Sequence, residues 1–381
     1  MGGPGWMEII PYVLFAFLFI LAIVVAVFMI WPTRPHSDVG TKRLDAYIDT
    51  PDAATAVSQN PLARREYFGN GAPVGCPNDY GLADYYVASS GLSMYAGKKA
   101  KDYIYVKSIT KVIKAGARLV DLHIYDVNKK PVVGYADQYG KMRSRNTISF
   151  EKCCIAIANA AFSDDTPGSR NPFILSLMFH THRSKLMKSC ADTLKVTLAR
   201  FMLNMKYGHG RLRSTIPICD LMGKLIILSG PETDNTEMAE LANMVWGRSN
   251  LRRVDYTTAA QTYTVEDDRD FNREKITLVV PDIKNDTLTN GSAEVCHLNG
   301  CQWVAMNYGS FELKDTDPMN MYIGKFGESP FVLKPESLRK KIVPVVNVIR
   351  QDPALALRPM QQDTDIMPLS VAPVSTSRVN G

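Results

Sequence analysis

Several familiar patterns are missing from this 381-residue chain. None of its seven cysteines forms a CxxC pair, so the paired soft ligands that build a structural zinc site are not there. No GxSxG or P-loop pattern occurs, which removes the usual nucleophile elbow and phosphate cradle. Basic residues are scattered and the net charge is +6. A nucleic-acid binder needs a clustered basic face instead. There is no internal repeat. What remains is globular composition, 46% apolar and 22% charged, long enough for one large domain or two ordinary ones.

The cysteines are Cys76, Cys153, Cys154, Cys190, Cys219, Cys296 and Cys301. An odd count without metal spacing predicts reduced, mostly buried thiols, which suits a cytosol-facing domain. The sequons at Asn285 and Asn290 matter only in a secretory lumen and are expected to be unused.

Charge is also missing from Ile9 to Trp31. These 23 residues exceed the ~20 needed for a helix to span a hydrocarbon core. Trp6, Tyr12 and Trp31 stand near the ends, where indole and phenol rings favour the interface. A cleaved signal peptide would have a shorter core, a basic leader and a small-residue cleavage site. The leader here, residues 1–8, carries Glu8 and no Lys or Arg. The expectation is an uncleaved single-pass anchor over 9–31. Arg34, Lys42 and Arg43 after the span place the remainder on the cytosolic side. Trp6 stands where myristoylation wants Ser or Thr.

Residues 32–80 read as a linker. Residues 342–381 read as a mostly disordered tail of prolines and small polar residues. Between them, 81–341 alternates short apolar strands with helical stretches. Strands are predicted at Tyr85–Ala88, Leu119–Tyr125, Pro131–Val133, Phe173–Leu177, Leu225–Leu228, Leu251–Asp255, Ile276–Val280 and Gln302–Met306. Helices are predicted at Val106–Ala115, Phe150–Ala161, Arg183–Leu203 and Thr236–Trp246. Eight strands in this rhythm fit an α/β fold, a TIM-type (β/α)8 barrel. An open parallel sheet has the same rhythm.

Gly300-Cys301-Gln302-Trp303-Val304-Ala305-Met306-Asn307-Tyr308, Phe326-Gly327, Phe331-Val332-Leu333-Lys334-Pro335 and Leu338-Arg339 resemble the Y region of phosphoinositide-specific phospholipase C. Upstream, Tyr86–Ser90, Gly116–Leu122, Pro131–Val133, Phe173–Leu177 and Gly223–Ile227 resemble its X region. The resemblance covers essentially all of 81–341 and implies a distorted TIM-type barrel. The expectation is that the family's pleckstrin-homology, EF-hand and C2 regions are not carried on these 381 residues.

The resemblance also implies chemistry: two histidines for general acid–base cleavage of a phosphodiester, and a calcium ion on carboxylates. Here the expected residues are replaced. The Ser-Ser-His-Asn motif is Ser89-Ser90-Gly91-Leu92, and Glu-Leu-Asp is Asp121-Leu122-His123. The second histidine position holds Tyr135, and the fourth motif's glutamate is Met178. The substrate lysines give way to Ser229 and its neighbours, and the seventh strand's arginine to Leu278. A proton-transfer group contributes roughly 10²–10⁴-fold in rate, and calcium needs several hard oxygen ligands. The expectation is therefore a membrane-anchored pseudoenzyme with no catalytic residues, no substrate site and no calcium. It would serve as a binding or structural scaffold for an unknown protein partner, with a virus particle as one setting.

Other readings stay open at this stage. One is a divergent phosphodiesterase rebuilt from Asp121, His123, Tyr135 and His180. Another is a phosphoinositide head-group receptor. Asp121 and His123 share a strand face and with His180 or His182 could hold a transition metal. A hydrogen-bonded His–Asp pair is the plainer reading. Tyr207-Gly208-His209-Gly210 reads as a turn.

Overall fold

The computed structural model describes residues 6–30, the pairs 66–67 and 73–74, and 80–340 apart from 138, 167, 249, 262–264, 285, 289, 311–316 and 328. The expected linker lies mostly outside these residues. The tail, His36, Cys76 and Asn285 lie wholly outside them.

The N-terminal run forms a helix, Trp6–Ile30. Its side chains are described over residues 10–26, and all of these are exposed. Among the described residues, no helix is long and apolar enough to cross a membrane.

Eight parallel strands form the centre. They are β1 (Ser89–Ser90), β2 (Leu119–Val127), β3 (Phe173–Phe179), β4 (Leu225–Ser229), β5 (Met244–Val245), β6 (Leu251–Asp255), β7 (Ile276–Val280) and β8 (Trp303–Met306). They pair in the order β5-β4-β3-β2-β1-β8-β7-β6. Among the described residues β5 and β6 form no ladder. The tight turn between them makes one bridge, Arg248 to Leu251. The result is a nearly closed α/β barrel of the TIM type.

Side-chain alternation sorts the core. Along β2, Val120, Leu122 and Ile124 pack outward with Ile109, Ile113, Cys153, Ile157, Leu186 and Leu194 of the flanking helices. Leu119 points the other way and joins Ile174, Leu228, Leu278 and Trp303 in the interior. Asp121 and His123 share its face. A polar pair on that face can only be a mouth feature or a buried network, because apolar side chains fill the rest of the barrel.

Three expectations need correction. The first stave is Ser89–Ser90, and Tyr85–Val87 belongs to a separate two-stranded sheet. Lys130–Val133 is not a barrel stave; it pairs antiparallel with β2 and with Ile148–Ser149. The helix expected over Thr236–Trp246 covers only Glu237–Leu241, and Met244–Val245 becomes β5. Asn243 explains the switch. Its backbone N–H donates to the Ile227 carbonyl, and its side-chain oxygen accepts from the Ile227 N–H, both at 2.8 Å. That clamp starts parallel pairing where helix periodicity would have continued.

The Phe331–Leu333 strand pairs antiparallel with Tyr85–Val87, just before β1. Lys334, 1% exposed, donates from Nζ to the carbonyls of Ala83 (2.8 Å) and Asn272 (2.7 Å). Gln302 donates to the same two carbonyls and to that of Lys275. The Leu-Lys-Pro motif thus closes the end of the barrel away from the strand C-termini, where a TIM-type fold keeps its stability rather than its chemistry.

Five described cysteines, Cys153, Cys154, Cys190, Cys296 and Cys301, are free and buried. Cys219 departs from the all-reduced expectation: it is disulfide-bonded. At the Asn290 sequon, the side-chain N–H groups donate to the Asn307 carbonyl and the Ser310 hydroxyl. A glycan there would replace one of the two hydrogens and break at least one of these bonds.

Candidate functional site

The C-terminal ends of β1, β2, β6 and β7 surround a cavity of about 440 Å³. Asp121, His123 and Arg253 form its floor. Leu92, Tyr135, Val280 and Pro281 line its walls, and Asp255 and Asp282 lie at its edge.

Asp121 is the centre of the floor and is 1% exposed. Arg253 grips it with both nitrogens: Nη1 to Oδ1 at 2.6 Å and Nη2 to Oδ2 at 3.0 Å. The Ser176 hydroxyl donates to Oδ1 at 2.6 Å. Strand register makes that contact, because Asp121 and Ser176 are paired across β2 and β3. Burial pushes the Asp121 carboxyl up. The Arg253 charge and bonds from His123 and Arg253 overcome this and hold it well below the usual carboxylate range. Arg253 is held in turn over the Trp246 ring at 5.2 Å.

His123 is enclosed by the same network. Its Nε2 lies 3.4 Å from Asp121 Oδ2 and 3.5 Å from Arg253 Nη2. Its Nδ1 lies 3.0 Å from His180 Nε2. Both ring nitrogens are therefore engaged inside the cluster. Tyr135 meets the His123 ring edge-on at 5.9 Å, and Tyr125 stacks on His180 at 4.4 Å. Partial burial, with the nearby His123 and Arg253 charges, lowers the His180 pKa to about 4. His180 is neutral near pH 7 although the residue is exposed.

The remaining expected positions are spent on structure. Met178 is the register partner of His123 and presents a thioether where a carboxylate was expected. Leu92 is buried, with a left-handed backbone (φ 47°). Ser229 is fully buried and shares a 2.9 Å hydrogen bond with Thr233. Leu278 is fully buried in the barrel interior. His182 is exposed, and Gly208-His209-Gly210 forms the expected turn, with His209 and Gly210 both at positive φ.

Calcium wants several hard oxygens. The positions that would supply them offer a leucine, an imidazole, a thioether and one carboxylate already gripped by a guanidinium. Among the described residues, no group of three or more His, Cys, Asp or Glu is placed to hold a metal ion.

Asp121, His123, Tyr135 and His180, the set of the alternative phosphodiesterase reading, lie close together. Arg253 was not expected. Its signal was parity: it follows Leu251 by two residues, so it shares Leu251's inward face near the C-terminal end of a strand. The arginine was sought one strand away, at Leu278.

Residues 79–230 match the family model of the phosphatidylinositol-specific phospholipase C X domain. Gly91, Leu92, Asp121, His123, Tyr135, Met178 and Ser229 all fall within this X-domain match. Arg253 and Leu278 lie beyond it. The crystal structure of PLC21 from S. officinalis is similar to this chain with a TM-score of 0.59 and 22% identity. The likeness covers 70% of this chain and 38% of that one. PLC21 from L. pealei gives the same values. At this identity the likeness establishes the fold alone, and this chain corresponds to about two fifths of those proteins. No curated protein sequence matches the chain.

Proposed function

We propose that this is a membrane-attached, catalytically inactive phospholipase C-like barrel that serves as a binding or structural scaffold. The observation that carries this reading is the closed bonding of the mouth. General acid–base catalysis needs a lone pair or proton within reach of the substrate. Both nitrogens of His123 and both oxygens of Asp121 are instead turned on their neighbours. The donor set around Asp121 does not suit calcium, so we propose that the family's ion is absent from the working protein. Ser229 and Leu278, spent on a turn and on the core, weigh against a head-group receptor.

The attachment rests on the uncharged run from Ile9 to Trp31 and on the exposure of every described side chain in it. An apolar surface of that kind belongs in a bilayer or against another apolar surface. Arg34, Lys42 and Arg43 favour the cytosolic side for the barrel. The disulfide at Cys219 weighs toward an oxidising side. Protease protection of the full-length chain in sealed vesicles decides between them. Extraction with alkaline carbonate tests the attachment, and release into the soluble fraction would refute it.

A second reading has an observation of its own. Asp121, His123 and Tyr135 line one cavity with His180 beside it, as a rebuilt phosphodiesterase would require. Calorimetric titration of the full-length chain in detergent with calcium, and separately with a soluble inositol phosphate, separates the two. The scaffold reading predicts no heat of binding from either. Saturable binding of both would favour the enzyme.

A further inference from the structure

A side chain cannot start at Gly91. A Cβ built there meets the Pro281 ring, at 2.4 Å from Cδ and 2.7 Å from Cγ. Real Cβ contacts do not approach that closely, so one partner would have to move. Neither is free to do so cheaply. The Gly91 N–H donates to the Met306 carbonyl of β8 at 3.0 Å, and the Ala305 Cβ closes the other side at 3.4 Å. Pro281 is a rigid ring set directly after β7. The next residue, Asp282, accepts the Thr257 N–H at 3.1 Å and also the Thr257 hydroxyl. The ring is thus tied to the short helix Tyr256–Ala260 that follows β6.

We infer that Pro281 is the residue that shuts the position of the family's first proton-transfer side chain. This rests on the reading of Gly91 as that position. The histidine has been deleted, and the volume in which it would begin is filled as well. A histidine restored at 91 alone has nowhere to go; it must displace Pro281 or break the pairing of Gly91 with β8. The inactive mouth is held by packing, and a single reversion at 91 does not reopen it.

The test is a double-mutant cycle on the full-length chain in detergent, read as the midpoint of thermal unfolding. Gly91→Ala is expected to lower the midpoint by several degrees through overpacking. In the Pro281→Gly background the same change is expected to cost less than half as much. Gly324→Ala is the control. A Cβ there meets nothing within 4 Å, so it is expected to leave the midpoint unchanged or raise it. An equal cost of Gly91→Ala in both backgrounds overturns the inference. If Gly91→Ala does not fold, recovery of folded protein by adding Pro281→Gly supports the inference, and failure to recover overturns it. The cycle measures packing alone. Phosphodiesterase activity in the unmodified chain would refute the proposed function and leave this coupling standing.

Discussion

Arg253 and Asp121 sit on strands that are not neighbours in the sheet, and they meet across the barrel interior in a two-pronged ion pair of 2.6 and 3.0 Å. A buried carboxylate needs a cation or several donors to stay charged. In the phospholipase C scheme that the sequence resembles, the counter-charge is a metal. Here the chain supplies it from its own sixth strand. The pair explains how a polar floor survives in a barrel whose interior is otherwise filled by apolar side chains.

Removing one member of this pair leaves the other buried and charged. Arg253→Met should cost about 3–5 kcal/mol of stability, measured from urea unfolding midpoints. Arg253→Met combined with Asp121→Leu should recover most of that loss, since an apolar replacement of both partners is often neutral or better. A single variant as stable as the parent would contradict the account.

Stability should fall as the pH drops below neutrality. Burial lowers the pKa of His297 to about 4 from 6.5. The unfolded chain therefore binds more protons between those values, and stability rises with pH across that window. The contribution is whole above 6.5 and is lost as the pH approaches 4. His180 acts in the same direction, less strongly because it is more open to solvent. Asp121, depressed below 3.8, adds stability that is lost as the pH falls below 3.8 through its folded value. Unfolding midpoints measured between pH 7 and pH 4 test this, and His297→Leu should flatten the upper part of the curve.

Gln302 and Lys334 share acceptors, so their losses should be unequal. Lys334→Met leaves Gln302 on the Ala83 and Asn272 carbonyls. Gln302→Leu strips the Lys275 carbonyl of this donor and leaves the Thr277 N–H, which Gln302 accepts at 3.0 Å, without its partner. An unsatisfied buried group costs about 1–3 kcal/mol. Gln302→Leu should therefore be the more damaging in denaturant melts, and the reverse order would count against shared bonding.

The cysteines make a direct chemical prediction. In unfolded, unreduced protein, Cys153, Cys154, Cys190, Cys296 and Cys301 should alkylate, and Cys219 should do so only after reduction. Peptide mass mapping reads this residue by residue. Modification of Cys219 without reductant would restore the all-reduced expectation and remove the argument for an oxidising compartment.

Much of the barrel was legible because its strands are short apolar runs with turn residues between them. Leu251–Asp255 and Ile276–Val280 appear with the bounds the sequence suggested. The fifth stave was not legible, since Met244–Val245 continues a helical apolar pattern and only the Asn243 clamp to Ile227 ends it. Lys130–Val133 has strand composition, and composition does not say whether a strand joins the barrel or folds back on its neighbour. At the mouth, Asp121, His123, Tyr135 and Met178 could be placed by local motif alone. Arg253 could not. Its partner is 132 residues away, and no local pattern announces a contact across a barrel. The filling of Gly91's space by Pro281 is hidden for the same reason.

The central claim is that a closed hydrogen-bond network has replaced a catalytic site. The measurement that tests it most directly is hydrolysis of phosphatidylinositol and its bisphosphate by the full-length chain in mixed micelles, with and without calcium, beside an active homologue. The account predicts no release of inositol phosphate above buffer in either condition. Turnover that disappears in His123→Ala would contradict it and show that the Asp121–His123–Arg253 cluster is a working site.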